Sequence, residues 1–254
     1  MSILSRTALG SGPELVLVHG WGLHGGVWAG LAPVLAARFH VTVVDLPGHG
    51  LSAKVQTRDI DAYADALAEV VPGAATWLGW SLGATVLLHM SGRHRQKVDR
   101  LVLVGATPCF VRAPAWPWGM EPEVLEAFAR DLVVSYRATL QRFLSLQLGQ
   151  DEDNRVLVRR IRDELFRYGE PDPAGLSAGL AILRSTDLRT LLPHIQVPCQ
   201  VIHGAHDRLV PLAAARALAS SLGASCHILP SAGHAPFLSH PEEFRAALGA
   251  FLND

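Results

Sequence analysis

Short apolar runs alternate with helical patterns along this chain, and this alternation restricts the possible folds more than any other feature. The runs read ELVLVHG (14–20), HVTVVDL (40–46), ATWLGW (75–80), VDRLVLVGA (98–106), PCQVIHGA (198–205) and SCHILPSAG (225–233). Each is nearly continuous in apolar residues, as is typical of strands that are covered on both faces. Segments such as RDIDAYADALAEVV and LAAARALASSL lie between them and have helical spacing. This order predicts an α/β fold, with a mostly parallel sheet and helices on both faces.

The alternation stops in the middle of the chain. Between about residues 110 and 193 no convincing strand is present, and two segments, 122–148 and 154–168, carry apolar residues at helical spacing. We therefore expect one core made of residues 1–110 and 194–254, with residues 111–193 inserted as a helical lid. The lid opens with APAWPWGMEP, which is typical of an irregular connector.

Composition excludes several classes of function. The 254 residues are 49% hydrophobic with a formal net charge of -1, so no overall field favours nucleic acid or an anionic membrane. We find no secretory leader pattern and no apolar stretch of membrane length, and we expect a cytoplasmic monomer. The three cysteines, Cys109, Cys199 and Cys226, lack metal-site spacing, and we expect them to be reduced core residues.

The stretch GWSLG places Ser81 between two glycines, Gly79 and Gly83, directly after a predicted strand and before an apolar helix. A serine at such a strand-to-helix turn projects its hydroxyl from the carboxyl edge of the sheet, where the chemistry of α/β folds is usually found. The glycines leave room for neighbouring backbone. The pattern also occurs by chance in simple turns, but its position in this chain favours a nucleophile.

A serine nucleophile needs a base and a group that orients the base. Asp207 follows the fifth predicted strand and His234 follows the sixth, so the chain order is Ser81, Asp207, His234, as expected for a triad on this architecture. Other candidates are weaker. We expect His19, His203, His206 and His240 to be structural or surface groups, Asp45 to hold its own loop, and Trp80 to pack. The histidine spacing does not favour a metal site.

Acyl transfer also requires donors for the developing oxyanion, each typically contributing about 3 kcal/mol. The backbone N–H of Leu82, after the nucleophile, is the first candidate. The second comes from the loop after an early strand, HGWGLHGGVW, where we expect the N–H of Trp21 to contribute.

Together these motifs carry a resemblance. HGWG, DLPGHGLS, GWSLG, GAHDRLVP and GHAPFLSHPEEF resemble the α/β-hydrolase family over nearly the whole chain. A more selective set, LGWSLG, TPCF, RFLSLQ, LAILRSTDLR and HAPFLSHP, resembles the pimeloyl-[acyl-carrier protein] methyl ester esterases of biotin synthesis. This resemblance implies an α/β-hydrolase fold and a serine carboxylesterase that cleaves the methyl ester of pimeloyl-acyl-carrier protein to methanol and a free carboxylate, without a metal or organic cofactor.

The resemblance also implies site residues and a protein partner. Substrate contacts would come from Trp21, Ser81, Leu82, Phe143, Leu144, Ser145, Leu146, Gln147 and His234. The acyl-carrier protein would dock on Arg142, Arg155 and Arg159. One departure is that Ala138 stands where the family has a further arginine, so Arg137, Arg160 or Arg162 would have to replace it.

Plainer interpretations of the lid remain open. Its arginines could equally form a solvated helix face with local ion pairs. Phe143, Leu144 and Leu146 could form either a core-facing apolar stripe or the wall of an acyl tunnel. A general short-chain carboxylesterase, a carbon–carbon bond hydrolase and a non-enzymatic ligand receptor share the same scaffold.

Overall fold

The computed structural model describes residues 4–53, 58–148, 161, 166–167 and 172–253, with the side chains of 143–148 outside the description. The strands are β1 Arg6–Leu9, β2 Glu14–Val18, β3 His40–Val44, β4 Ala75–Trp80, β5 Val98–Val104, β6 Cys199–Gly204 and β7 Ser225–Leu229. The helices are α1 Ala32–Leu35, α2 Ile60–Ala68, α3 Leu82–Arg93, α4 Pro122–Leu148, α5 Pro173–Ser185, α6 Leu212–Leu222, α7 Pro236–Ser239 and α8 Pro241–Asn253.

The strands form one seven-stranded sheet in the order β1-β3-β2-β4-β5-β6-β7. Only β1 is antiparallel to its neighbour, β3, and every other pairing is parallel. All six predicted runs contain a strand, and the predicted α/β architecture is confirmed. Strand β1 is not predicted from the sequence because it has only four residues and is mostly exposed, so it lacks the continuous apolar run of its neighbours.

The register of the central strands brings their carboxyl ends to one edge of the sheet. Trp80 pairs with Val104, and Val104 pairs with Ile202, so β4, β5 and β6 end at similar heights. The loops that carry Ser81, Asp207 and His234 leave this edge, as expected for a site on a parallel sheet.

The two glycines beside Ser81 are needed for close backbone contacts. A Cβ atom on Gly83 would lie 2.5 Å from the carbonyl oxygen of His19, and one on Gly79 would lie 2.8 Å from Cα of Ala84. Helix α3 therefore packs directly against the ends of β2 and β4, and any side chain at either position would push it away.

Two described helices lie between β5 and β6. Helix α4 has the span that its periodicity predicts, but its helical geometry is interrupted at Ser135, where φ is -154° and ψ is 79°. Most of the helix predicted over 154–168 lies outside the described residues. Helix α5 was not predicted, because Gly175 and Gly179 weaken its pattern. Its start carries a clear signal, since Asp172 caps the N–H of Ala174 and Pro173 occupies the first position.

The cysteine prediction is partly wrong. All three cysteines are free thiols, and Cys109 and Cys199 are buried, but Cys226 is exposed on the edge strand β7. Burial raises the pKa of the Cys199 thiol to about 12, so this group stays protonated at neutral pH. None of the helices in the described ranges combines the length and the apolar character needed to cross a bilayer.

Candidate active site

Ser81 occupies a strained turn between β4 and α3. Its backbone has φ 54° and ψ -117°, a conformation that L-residues rarely adopt, and its N–H donates to the carbonyl oxygen of Val104 at 2.9 Å. The residue is nearly buried, and α3 begins at the next residue, Leu82. The turn thus joins the carboxyl end of β4 to a helix N-terminus, whose positive end favours negative charge.

Asp207 and His234 form a fully buried pair. Nδ1 of His234 lies 2.7 Å from Oδ2 of Asp207 and donates its hydrogen to that oxygen. The other carboxylate oxygen accepts from the backbone N–H groups of Leu209 and Val210 at 2.8 and 2.9 Å. Burial by itself raises the pKa of Asp207, but His234, His203 and the Val210 N–H outweigh it, so that the pKa is lowered. Asp207 therefore remains an ionised acceptor.

Neighbouring groups fix the orientation of the His234 imidazole. The indole N–H of Trp80 donates to the carbonyl oxygen of His234 at 2.9 Å, which gives Trp80 a role that packing alone did not predict. Gly105 faces the ring so closely that a Cβ atom there would lie 2.9 Å from Cε1.

Among the described residues, Nε2 of His234 is buried and has no hydrogen-bond partner. Ser81 is thus not hydrogen-bonded to it in this structure. Such contacts are often long in unliganded enzymes and tighten when substrate binds. An imidazole with its Nδ1–H held by a carboxylate and its Nε2 unoccupied can accept a proton.

The loop that contains Trp21 lies against the serine. A Cβ atom on Gly20 would lie 3.1 Å from Cβ of Ser81, so the backbone before Trp21 passes beside the nucleophile turn. His19 stabilises this loop: its Nδ1–H donates to the Gly20 carbonyl oxygen at 2.7 Å, and its Nε2 accepts from the N–H of Leu46 at 2.9 Å. Because burial holds the pKa of His19 well below its usual value, this histidine is a neutral structural group, as predicted.

Helices α4 and α5 cover the same loop. The indole N–H of Trp21 donates to the Leu176 carbonyl oxygen in α5 at 2.8 Å. A Cβ atom on Gly179, one turn later, would lie 2.6 Å from Cδ1 of Trp21. Gly22, at φ 76°, would place a Cβ atom 2.8 Å from Cδ2 of Leu140 in α4. Both helices therefore contact the loop beside Ser81.

Several predicted site residues lie outside the described part of the chain. Arg155, Arg159, Arg160 and Arg162 lie outside the described residues, as do the side chains of Phe143, Leu144, Ser145, Leu146 and Gln147. Arg142 is exposed, forms an ion pair with Asp131 and stacks its guanidinium 4.8 Å from the centre of the Phe128 ring. Arg137 stacks in the same way on Phe166. Ala138 is exposed beside these groups.

Two alternative candidates have clear roles in the structure. Asp45 accepts from the N–H of Gly25 at 2.6 Å and of Leu51 at 2.9 Å, which confirms that it holds its loop. His203 is buried, with its Nε2 2.9 Å from the carbonyl oxygen of Val210 and 3.5 Å from Oδ2 of Asp207, which agrees with the structural role expected for it. Within the described ranges no group of three or more His, Cys, Asp or Glu side chains is arranged to hold a metal ion.

A parallel sheet with a serine turn, a buried acid–histidine pair and a glycine-rich loop at one edge defines the α/β-hydrolase class. Residues 15–247 match the model of the Alpha/beta hydrolase family, and the chain belongs to that family.

Within this family, the chain is most usefully compared with relatives that match it over nearly their whole length. The chain is 42% identical over 251 residues to the pimeloyl-[acyl-carrier protein] methyl ester esterase of Nitrosomonas europaea, covering 98% of this chain and 100% of the relative. It is 44% identical over 245 residues to the protein of the same name from Chromobacterium violaceum, covering 96% of each. Among solved structures, an esterase from Exiguobacterium antarcticum superimposes with a TM-score of 0.92 at 24% identity, covering 99% of this chain and 96% of that one. At this level of identity, the similarity shows that the two proteins share a fold.

Proposed function

We propose that this protein is a serine carboxylesterase that hydrolyses the methyl ester of pimeloyl-[acyl-carrier protein], releasing methanol and a free carboxylate in biotin synthesis. The observation that carries the hydrolytic chemistry is the buried hydrogen bond between His234 and Asp207, at the edge of the sheet where Ser81 occupies its strained turn. The substrate is proposed from the pimeloyl-[acyl-carrier protein] methyl ester esterases of other bacteria, which match nearly the whole chain.

The proposed reaction proceeds through an acyl-enzyme. His234 accepts the hydroxyl proton of Ser81 as the oxygen attacks the ester carbonyl, and Asp207 stabilises the imidazolium that forms. The N–H groups of Leu82 and Trp21 donate to the tetrahedral oxyanion. His234 then returns the proton to the methoxide leaving group, so that methanol departs. A water molecule, deprotonated by the same histidine, releases the acid.

The proposed lid, residues 111–193, serves as the roof of the cleft and the dock for the carrier. Contacts of α4 and α5 with the Trp21 loop support the first role. For the second, Arg142, Arg155 and Arg159 are proposed to meet the acidic carrier, and Arg142 would exchange its bond to Asp131 for a carrier carboxylate. The acyl-tunnel role of residues 143–147 stays a prediction. A carrier-bound substrate also favours a cytoplasmic location.

The test is hydrolysis of pimeloyl-acyl-carrier protein methyl ester by the purified protein, followed by mass spectrometry of the carrier. We expect efficient cleavage by the wild type and by a Ser220→Ala control, which removes an exposed hydroxyl in α6. Ser81→Ala should lower kcat by about 10⁶-fold while the fold is kept. Retained activity in pure Ser81→Ala protein would refute the nucleophile.

The same experiment separates the alternative substrates. If free methyl pimelate and p-nitrophenyl esters are cleaved as well as the carrier-bound ester, the protein is a general carboxylesterase and the carrier proposal fails. If no ester is cleaved but a ring-cleavage dienone loses its absorbance, the carbon–carbon hydrolase is correct instead.

A further inference from the structure

His203 lies on β6 with its side chain fully buried against the acid of the proposed triad. Its Nε2 is 2.9 Å from the carbonyl oxygen of Val210 and 3.5 Å from Oδ2 of Asp207. This Oδ2 is the same oxygen that accepts the hydrogen of His234 Nδ1. His203 on β6 and His234 in the loop after β7 therefore face the same carboxylate oxygen.

The protonation of His203 follows from its partners. A carbonyl oxygen only accepts, so Nε2 carries the hydrogen. Burial lowers the pKa of His203, so the ring is neutral and acts on Asp207 as a dipole rather than as a cation. Among the described residues its Nδ1 is buried without a partner. A leucine or phenylalanine would fill the same space without leaving a polar atom unpaired, so packing alone does not account for a histidine here.

His203 acts on Asp207 by two routes. It binds the carbonyl oxygen of Val210, whose own N–H donates to Oδ1 of Asp207 at 2.9 Å. Its Nε2, which carries the hydrogen donated to Val210, also lies 3.5 Å from Oδ2, so the positive end of the ring dipole is close to that oxygen. The first route fixes the loop 207–210 that holds the carboxylate, and the second withdraws electron density from the oxygen that orients His234.

We propose that His203 is a positioning residue of the hydrolytic site, which holds Asp207 in place and limits how strongly Asp207 retains the proton on His234. The titratable groups that face one another here are His203, Asp207 and His234, while His206 on the same loop is exposed. Without His203, Oδ2 would interact with His234 alone, and the imidazolium would persist to higher pH.

The test compares His203→Leu, which removes the donor at similar volume, with His203→Gln, whose amide nitrogen can reach the place of Nε2. The control is His227→Leu, an exposed histidine on the adjacent strand β7. The readout is kcat/KM for a p-nitrophenyl ester from pH 5 to pH 9, together with kcat, KM and the unfolding midpoint of each variant.

We expect the acid limb of the His203→Leu profile to move to higher pH by about half a unit or more. Its plateau kcat should fall roughly tenfold with little change in KM. His203→Gln should restore the wild-type limb, and His227→Leu should match the wild type. An unmoved or lowered acid limb in His203→Leu, with only a lower unfolding midpoint, would overturn the proposal and leave His203 as a packing residue.

The inference rests on the proposed triad, but the two fail separately. Activity in Ser81→Ala would refute the triad whatever the His203 variants do. A small ester is used so that the outcome is independent of the carrier and of the natural acyl chain.

Discussion

At the scale of single residues, the nucleophile position combines function with backbone strain. Ser81 is one of two non-glycine residues with positive φ among the described residues, and its φ of 54° with ψ of -117° is a region that glycine occupies far more easily. A glycine would suit the backbone better, but it would provide no hydroxyl. The backbone conformation of this turn therefore favours glycine, whereas the proposed chemistry needs serine.

This strain predicts a difference between two inactive variants. Both Ser81→Ala and Ser81→Gly lose the nucleophile, but only the glycine relaxes the backbone. We expect Ser81→Gly to have a free energy of unfolding about 1 kcal/mol higher than Ser81→Ala, measured by urea denaturation of each protein. Equal stability of the two variants would show that the turn stores no strain.

At the scale of elements, the packing of α5 against the Trp21 loop predicts how this helix affects catalysis. In Gly179→Ala the new methyl group would lie 2.6 Å from Cδ1 of Trp21 and 3.0 Å from Cδ2 of Leu82, the two residues proposed to supply oxyanion donors. We expect kcat for a p-nitrophenyl ester to fall about tenfold or more with a smaller change in KM, because misplaced donors weaken only the transition state.

A matched control exists in another helix. A Cβ atom on Gly249 in α8 would have no neighbouring atom within 4 Å, so Gly249→Ala should keep full activity and gain about 0.5–1 kcal/mol of stability. Because alanine is the better helix former at both sites, lost activity in Gly179→Ala cannot come from a weaker helix. Unchanged kcat in that variant would mean that α5 and the loop move apart freely.

The contact between α2 and α3 predicts a stability effect that depends on pH. Asp65 in α2 accepts hydrogen bonds from Arg93 at 2.6 Å and from His94 at 2.6 Å, and these bonds lower its pKa from 3.8 to about 2. A lowered folded-state pKa stabilises the protein above about pH 4, and this contribution is lost as the pH falls towards 2. Because about half of the Asp65 side chain (47%) is open to solvent, we expect this contribution to be only a few tenths of a kcal/mol.

The measurement is the thermal midpoint of Asp65→Asn against the wild type from pH 7 down to pH 2. The thermal midpoint of the variant should lie below that of the wild type by a constant amount above pH 4. This difference should shrink below pH 4, and it should be smaller in 1 M salt. Asp99→Asn, an exposed aspartate on β5, is the control and should show no such pattern. If the lower thermal midpoint of Asp65→Asn persists at pH 2, the loss of stability comes from packing and not from the ion pairs.

The sequence predicted those elements whose signal is local. The buried parallel strands have continuous apolar runs, and the loops at their ends carry the proposed triad of Ser81, Asp207 and His234, of which the structure pairs Asp207 with His234. Strand β1 was missed because a short, exposed edge strand carries no such run, and α5 because its glycines serve contacts with Gly48 and Trp21 that only the fold creates. The contact of His203 with Asp207 is not predictable from the sequence, because it depends on where β6 directs the histidine side chain.

At the scale of the whole molecule, the proposed carrier dock has an exposed apolar part on the same helix as Arg142. Val133 and Val134 are 86% and 87% exposed, and Ser135 interrupts α4 directly after them. Arg142 joins Val134, Ser135 and Ala138 around a cavity of about 250 Å³. An acidic carrier protein that presents apolar side chains among its carboxylates would match this combination of valines and guanidinium groups.

The last prediction tests this match with Val133→Ser/Val134→Ser. Loss of two valine contacts should raise KM for the carrier-bound methyl ester about three- to tenfold, and a p-nitrophenyl ester should be hydrolysed as before. The increase should persist in high salt, since apolar contacts are not screened, whereas the increase caused by Arg142→Ala should be smaller there. Val34→Ser, a half-exposed valine in α1 of the core, is the control. If the small ester loses activity to the same extent, the valines support the lid itself and the carrier docks elsewhere.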